Sequence, residues 1–87
     1  MNFKNECVHI RVQQRNGKKC ITTVSGIAED LNVKKITKYL KNKFNTSGSI
    51  NKEDNAMQFA GDHRSEIREF FIEHEIYDEE HIIIHGA

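Results

Sequence analysis

The sequence predicts an α+β fold: a two-layer sandwich in which a mixed five-stranded sheet carries two helices on one face, in the order β-β-α-β-β-α-β. Two stretches, near 33–44 and 62–75, repeat apolar residues at helical spacing. Short β-branched or alternating runs precede, separate and follow them, with Gly, Asn and Asp between. Two apolar helical stripes and one set of alternating strands are buried together most simply as helices on a single sheet face.

The first strand is Cys7-Val8-His9-Ile10-Arg11-Val12-Gln13, whose Val8, Ile10 and Val12 share one face. Cys20 to Val24 is β-branched and makes its hairpin partner. Between them, Gln13-Gln14-Arg15-Asn16-Gly17-Lys18-Lys19 holds the Asn-Gly pair that a tight turn with positive φ favours. A two-residue turn would set Val12 opposite Ile21 and Ile10 opposite Thr23, whereas a longer loop changes that register; the sequence leaves both open. Either way Arg15, Lys18 and Lys19 project from an exposed finger suited to a phosphate backbone.

Asn32 is the expected N-cap of the first helix. Val33, Ile36, Leu40 and Phe44 form its apolar face, and Lys34, Lys38 and Lys41, with Lys35 nearby, form a ridge on the opposite side. Asn45-Thr46-Ser47-Gly48 ends it. Ser49 and Ile50 open a third strand, Asn51 to Asn55 is a polar loop, and Ala56 to Ala60 is a fourth strand with Met57 and Phe59 on one face. Asp62 is the expected N-cap of a second helix running to about Glu75. Its inner face is Ile67, Phe70, Phe71 and His74, and its outer ridge is Glu66, Glu69 and Glu73. Ile82-Ile83-Ile84 is the last strand.

Eighty-seven residues make one domain, 1–87, with 1–6 as a short tail. The 37% apolar and 30% charged content is that of a folded domain. No apolar run reaches the length of a membrane span, so a cytoplasmic protein is expected. Cys7 and Cys20 lack metal-type spacing and are expected to be small buried thiols. The net charge of zero conceals a polarity. Residues 1–50 carry ten Lys/Arg and three acids, +7, while 51–87 carry three and ten, −7. The concentrated basic half suggests a face for nucleic acid; the acidic half reads equally as a solvated surface or as a face turned away from nucleic acid or toward a basic protein.

No constellation supports catalysis. There is no nucleophile elbow, no triad and no phosphate loop. His81 and His85 flank a strand core, where four residues span roughly 13 Å, too far to share a metal ion. Phe44, Phe59, Phe70 and Phe71 hold core positions, so RNA binding would rest on cations and shape rather than on base stacking. No cofactor is expected.

Nearly the whole chain, from about Val8 to Gly86, resembles the eukaryotic translation initiation factor 1 family. The likeness is carried by His9-Ile10-Arg11-Val12-Gln13-Gln14-Arg15-Asn16-Gly17-Lys18-Lys19, Thr22-Thr23-Val24-Ser25-Gly26, Lys41-Asn42-Lys43-Phe44, Gly61-Asp62-His63-Arg64 and His85-Gly86. The resemblance implies a monomeric, non-catalytic factor that binds the small ribosomal subunit beside the peptidyl site. It implies promotion of scanning within the preinitiation complex of initiator tRNA and mRNA, and accurate start-codon selection by opposing premature tRNA accommodation. By position, Arg15, Asn16, Gly17, Lys18 and Lys19 would approach ribosomal RNA, with further contacts from Lys34, Lys35, Lys38 and Lys41. Asp62 and His63 fall where the family pattern is linked to start-codon stringency, and a helix cap is an equal reading of Asp62.

Three departures qualify the likeness. Only Met1 to Glu6 precede the first strand, where eukaryotic members usually carry a tail for other initiation factors. The Asn51–Asn55 loop is shorter than the eukaryotic one that faces initiator tRNA, and His63 replaces a common Gln, as in archaeal-like relatives. The alternative reading is a protein-interaction module with the same fold and no ribosomal role, using Glu66, Glu69 and Glu73 toward a basic partner.

Overall fold

The structure, a computed structural model, describes residues 7–15, 17 and 19–86. Its elements are β1 (Val8–Gln14), β2 (Cys20–Ser25), α1 (Val33–Phe44), β3 (Gly48–Asn51), β4 (Ala56–Ala60), α2 (Arg64–Glu73), a single 3-10 turn (Glu79–His81) and β5 (Ile82–His85). The strands form one sheet in the order β3-β4-β2-β1-β5. Only the β1–β5 pairing is parallel, so the sheet is mixed as the sequence predicts.

Side-chain alternation fixes the register. Ile10, Val24, Met57 and Ile50 line up across four strands, and Val12, Thr22, Phe59 and Gly48 form the next row. The β1–β2 register therefore has Val12 opposite Thr22 and Ile10 opposite Val24, the longer-loop alternative. A two-residue turn would turn Val24 away from the face that Val8, Ile10 and Val12 bury, so burial selects the longer loop. Arg15 N–H donates to the Lys19 carbonyl at 2.7 Å, closing the hairpin beyond the ends of both strands. Gly17 holds its left-handed φ of +61° there, and the Gln14 amide donates to its carbonyl at 2.9 Å.

Asn32 caps α1 as expected, its Oδ1 accepting from Lys35 N–H at 3.1 Å. The buried side of α1 is Val33, Thr37 and Leu40; Ile36 and Phe44 are half-buried. Thr37 is tolerated inside because its hydroxyl donates to the Val33 carbonyl at 2.7 Å. Asn45, in the left-handed conformation, closes the helix, and Thr46 N–H reaches back to the Lys41 carbonyl.

The second helix departs from expectation at both ends. It starts at Arg64 with His63 as its flanking residue, so Asp62 lies one position too early to be the N-cap. Asp62 instead binds Arg64, accepting from its N–H at 3.3 Å and from its side chain. The helix ends at Glu73, and His74 is exposed beyond it rather than on the inner face. His74 packs beside Phe70 and against Tyr39 of α1. Ile67, Phe70 and Phe71 do face inward. They join Val8, Ile10, Leu40, Met57 and Phe59 in one core between the sheet and both helices. Burial of each such side chain contributes roughly 1.5–3 kcal/mol. Cys7 and Cys20 are half-buried rather than buried.

Candidate nucleic-acid interface

The chain direction gives the molecule two ends. At one, β1 and β2 meet in the hairpin, β4 runs out at Ala60, α1 terminates and α2 begins. There the finger is fastened to the body through Thr22. This fully buried threonine donates its hydroxyl to the Gly61 carbonyl, and accepts from His63 N–H at 2.9 Å. Gly61 N–H in turn donates to the Cys20 carbonyl at 2.8 Å. The base of the hairpin and the segment 61–63 are thus one hydrogen-bonded unit.

His63 carries that unit to α1. Its ring stacks on Phe44, with centroids 4.3 Å apart and planes 4° from parallel. Nε2 lies 2.9 Å from the Ala60 carbonyl and Nδ1 3.1 Å from Glu66 Oε1. Both neighbours are hydrogen-bond acceptors. Asp62 grips the Arg64 guanidinium with both oxygens, at 3.0 Å from Nε and 2.9 Å from Nη2. Hydrogen bonds from Arg64 hold the Asp62 carboxyl below the usual carboxylate range, against a smaller upward push from burial. The same pairing raises Arg64. Arg64 Nη1 also donates to the His85 carbonyl at 3.0 Å, tying the start of α2 to the last strand. Asp62 and His63 are therefore brought together at the root of the finger.

Of the predicted finger residues, Arg15, Gly17 and Lys19 are exposed at its tip, and Asn16 and Lys18 lie outside the described residues. Lys34, Lys35 and Lys38 are exposed along α1. Lys41 is half-buried. Its Cγ lies 3.0 Å from where a Cβ on Gly48 would sit, so its stem packs over the start of β3. Lys41 stands toward the hairpin end of α1. Lys34 is about 10 Å away along the axis, at 1.5 Å per residue. Two further exposed cations belong with the finger and were not among the predicted site residues. Lys43 occupies the last turn of α1, where a cation complements the helix dipole. Arg11 lies on the open face of β1, in the same alternation as Arg15. Both stand within the motifs that carry the family resemblance, and alternation along β1 was the available signal for Arg11.

The open face holds one more arrangement that sequence reasoning did not find. His9 Nδ1 and His85 Nε2 are 3.1 Å apart, with rings stacked at 5.3 Å. The parallel β1–β5 register makes this pair, which the separate readings of the two segments do not contain. Among the described residues no group of three or more His, Cys, Asp or Glu is placed to hold a metal ion, and no helix is long and apolar enough to cross a membrane.

The family model for translation initiation factor SUI1 matches residues 4–77. Protein translation factor SUI1 of Eremothecium gossypii is 42% identical over 82 residues, covering 91% of this chain and 76% of that protein. Eukaryotic translation initiation factor eIF-1 of Saccharomyces cerevisiae matches to the same extent, and eukaryotic translation initiation factor 1 of Mus musculus is 40% identical, covering 91% and 73%. The C-terminal domain of human eIF2D superposes with a TM-score of 0.81 over 92% of this chain and 43% of that one, at 20% identity, a likeness of fold. A five-stranded mixed sheet with two helices, a basic finger and matches across most of the length converge on one assignment: the chain belongs to the SUI1 family of translation initiation factors, a non-enzymatic class whose partners are in the translation machinery.

Proposed function

We infer that the protein binds the small ribosomal subunit near the peptidyl site and promotes scanning and accurate start-codon selection by opposing premature accommodation of initiator tRNA. The observation that carries this reading is the rigid root of the finger. Thr22, His63 and Phe44 lock the hairpin to the end of α1, so that Arg15, Lys19 and Lys43 project from one braced end of the molecule. Phosphate contacts of this kind position a protein without reading sequence, and many modest ones allow release. Start-codon pairing then needs to change differential affinity between two subunit states by only a few kcal/mol. In this reading Asp62 and His63 act on stringency by setting the angle of the finger, and Lys34, Lys35, Lys38 and Lys41 add ribosomal RNA contacts. The relatives' names, which are those of initiation factors, support the assignment to this step of translation.

The test is equilibrium binding of labelled protein to purified eukaryotic small subunits across a salt series. Replacing Arg15, Lys18 and Lys19 together by Ala is expected to weaken binding. It should also flatten the salt dependence by about one log unit per log of salt for each phosphate no longer neutralised. Unchanged affinity and slope in the triple variant would remove the finger from the interface. No binding by the folded wild type would favour the interaction-module reading.

A further inference from the structure

The end of the molecule opposite the hairpin carries the reverse electrostatics. Here β2 runs out into the turn at 28–31, α2 terminates, and residues 74–81 lead into β5. The two walls are fastened where Ala28 N–H donates to the Tyr77 hydroxyl at 2.9 Å. Between them runs an open groove of about 830 Å³. Its apolar lining is Leu31, Ile72 and Ile76, all half-buried against the core. Its acidic lining is Asp30 on one wall and Glu75, Asp78, Glu79 and Glu80 on the other. Among the described residues that line it, the only basic group is His81, and Asp78 Oδ1 is already 2.6 Å from its Nδ1. Arg68 approaches Glu79 at 3.5 Å from outside the groove. Among the described residues, no hydrogen bond or ion pair engages the carboxylates of Asp30, Glu75 or Glu80.

We propose that this groove is a docking site for a basic amphipathic segment of a protein partner, one that sets aliphatic side chains on Leu31, Ile72 and Ile76 and Lys or Arg against the acidic walls. Charge complementarity selects the occupant. Five carboxylates around an apolar floor repel RNA and acidic peptides, and a purely aliphatic ligand would leave the walls' charges desolvated without partners. The α2 ridge of Glu66, Glu69 and Glu73 is a poorer candidate, since Glu66 already faces His63 and none of the three lines the groove. Lys34 and Lys52 line a neighbouring shallow groove with Val33 and Ile50 rather than this one. The finger lies at the other end of the molecule, so the proposal does not depend on what the finger binds.

The test uses the full chain and two fluorescein-labelled synthetic peptides of about 15 residues, one of Lys and Leu in amphipathic order and one with every Leu replaced by Ser. At physiological salt the Lys/Leu peptide is expected to bind at least about tenfold tighter than the Lys/Ser peptide. The exposed triple variant Asp30→Asn/Glu75→Gln/Glu80→Gln is expected to lose about tenfold or more in affinity, and the equal-charge control Glu66→Gln/Glu69→Gln/Glu73→Gln to stay within about twofold. Amide shifts on titration should concentrate at 28–31 and 72–81. Three results would overturn the proposal: no binding by the folded wild type, equal loss in the two triple variants, or a Lys/Ser peptide as tight as the Lys/Leu one. None of them bears on small-subunit binding, which the finger variants test separately.

Discussion

The imidazole of His63 lies flat on the ring of Phe44, with planes 4° apart, and Phe44 meets the buried ring of Phe59 edge-on at 6.0 Å. One half-buried phenylalanine at the end of α1 thus connects the sheet core to the segment that anchors the hairpin. Phe44→Ala should remove both ring interactions and cost about 2–3 kcal/mol, below the range for fully buried Phe because the side chain is only half covered. Urea unfolding checks the magnitude. The His63 ring signals should also change, and an unaltered His63 environment would show that the stack does not hold that ring.

Asp62 should make the fold acid-sensitive. Its carboxyl is held below its usual range by hydrogen bonds from Arg64, so folded Asp62 releases its proton at lower pH than unfolded Asp62. The unfolded state therefore binds more protons in that interval, and the stabilisation is full above about pH 4 and lost as pH falls through the lower folded value. The Asp62 side chain is 45% exposed, so solvent screening keeps the effect under about 1 kcal/mol. Asp78, lowered by its hydrogen bond from His81, acts in the same direction. Comparing wild type with Asp62→Asn isolates the first group. The difference in urea midpoint should be clear at pH 6 and shrink toward pH 3 on an ordinary carboxylate scale; a constant difference would assign the loss to geometry instead.

Much of this architecture is legible in the sequence because it rests on local periodicity. Alternation in Val8-Ile10-Val12 and helical spacing from Val33 to Phe44 each describe one element, and the structure keeps both. What escaped depends on choices made between elements. The hairpin register follows from which face Val24 must share with Ile10, and the Asn16-Gly17 pair alone does not decide it. Asp62 has the chemistry of a cap, but Arg64, two residues on, offers its carboxylate a stronger charged partner, and the helix starts later. His74 fits the helical period yet falls beyond the last turn. The basic finger was readable as a motif, but its bracing by Thr22 and His63, 41 positions apart, was not.

Gly26 follows β2 with a left-handed φ of +77°, and a Cβ there would sit 2.7 Å from the Cys7 carbonyl oxygen. Gly17 has a similar φ of +61° with nothing within 4 Å. Gly17→Ala should therefore cost only the conformational penalty, about 1 kcal/mol. Gly26→Ala adds a backbone clash and should cost at least about 2 kcal/mol more, because the start of β1 must move. The pair of urea midpoints separates torsion from steric clash, and equal losses would mean that β1 yields freely at Cys7.

Thr22 is the polar residue buried within the second core row, between Val12 and Phe59, and its hydroxyl is used twice. It donates to the Gly61 carbonyl and accepts from His63 N–H. Thr22→Val keeps the shape, so the packing of Val12 and Phe59 is preserved while both bonds vanish. His63 N–H and the Gly61 carbonyl then lose that partner, at a cost of about 1–3 kcal/mol. Hydrogen exchange distinguishes this local effect from general destabilisation. The His63 amide should exchange faster relative to the amides of Ile10 and Val24, which sit in the undisturbed centre of the sheet. The salt slope of small-subunit binding should stay as in wild type, because no cation is removed, while affinity falls as the finger loses its fixed angle. A variant that exchanges uniformly and binds normally would mean that the finger needs no brace, and that its position is set by β1 and β2 alone.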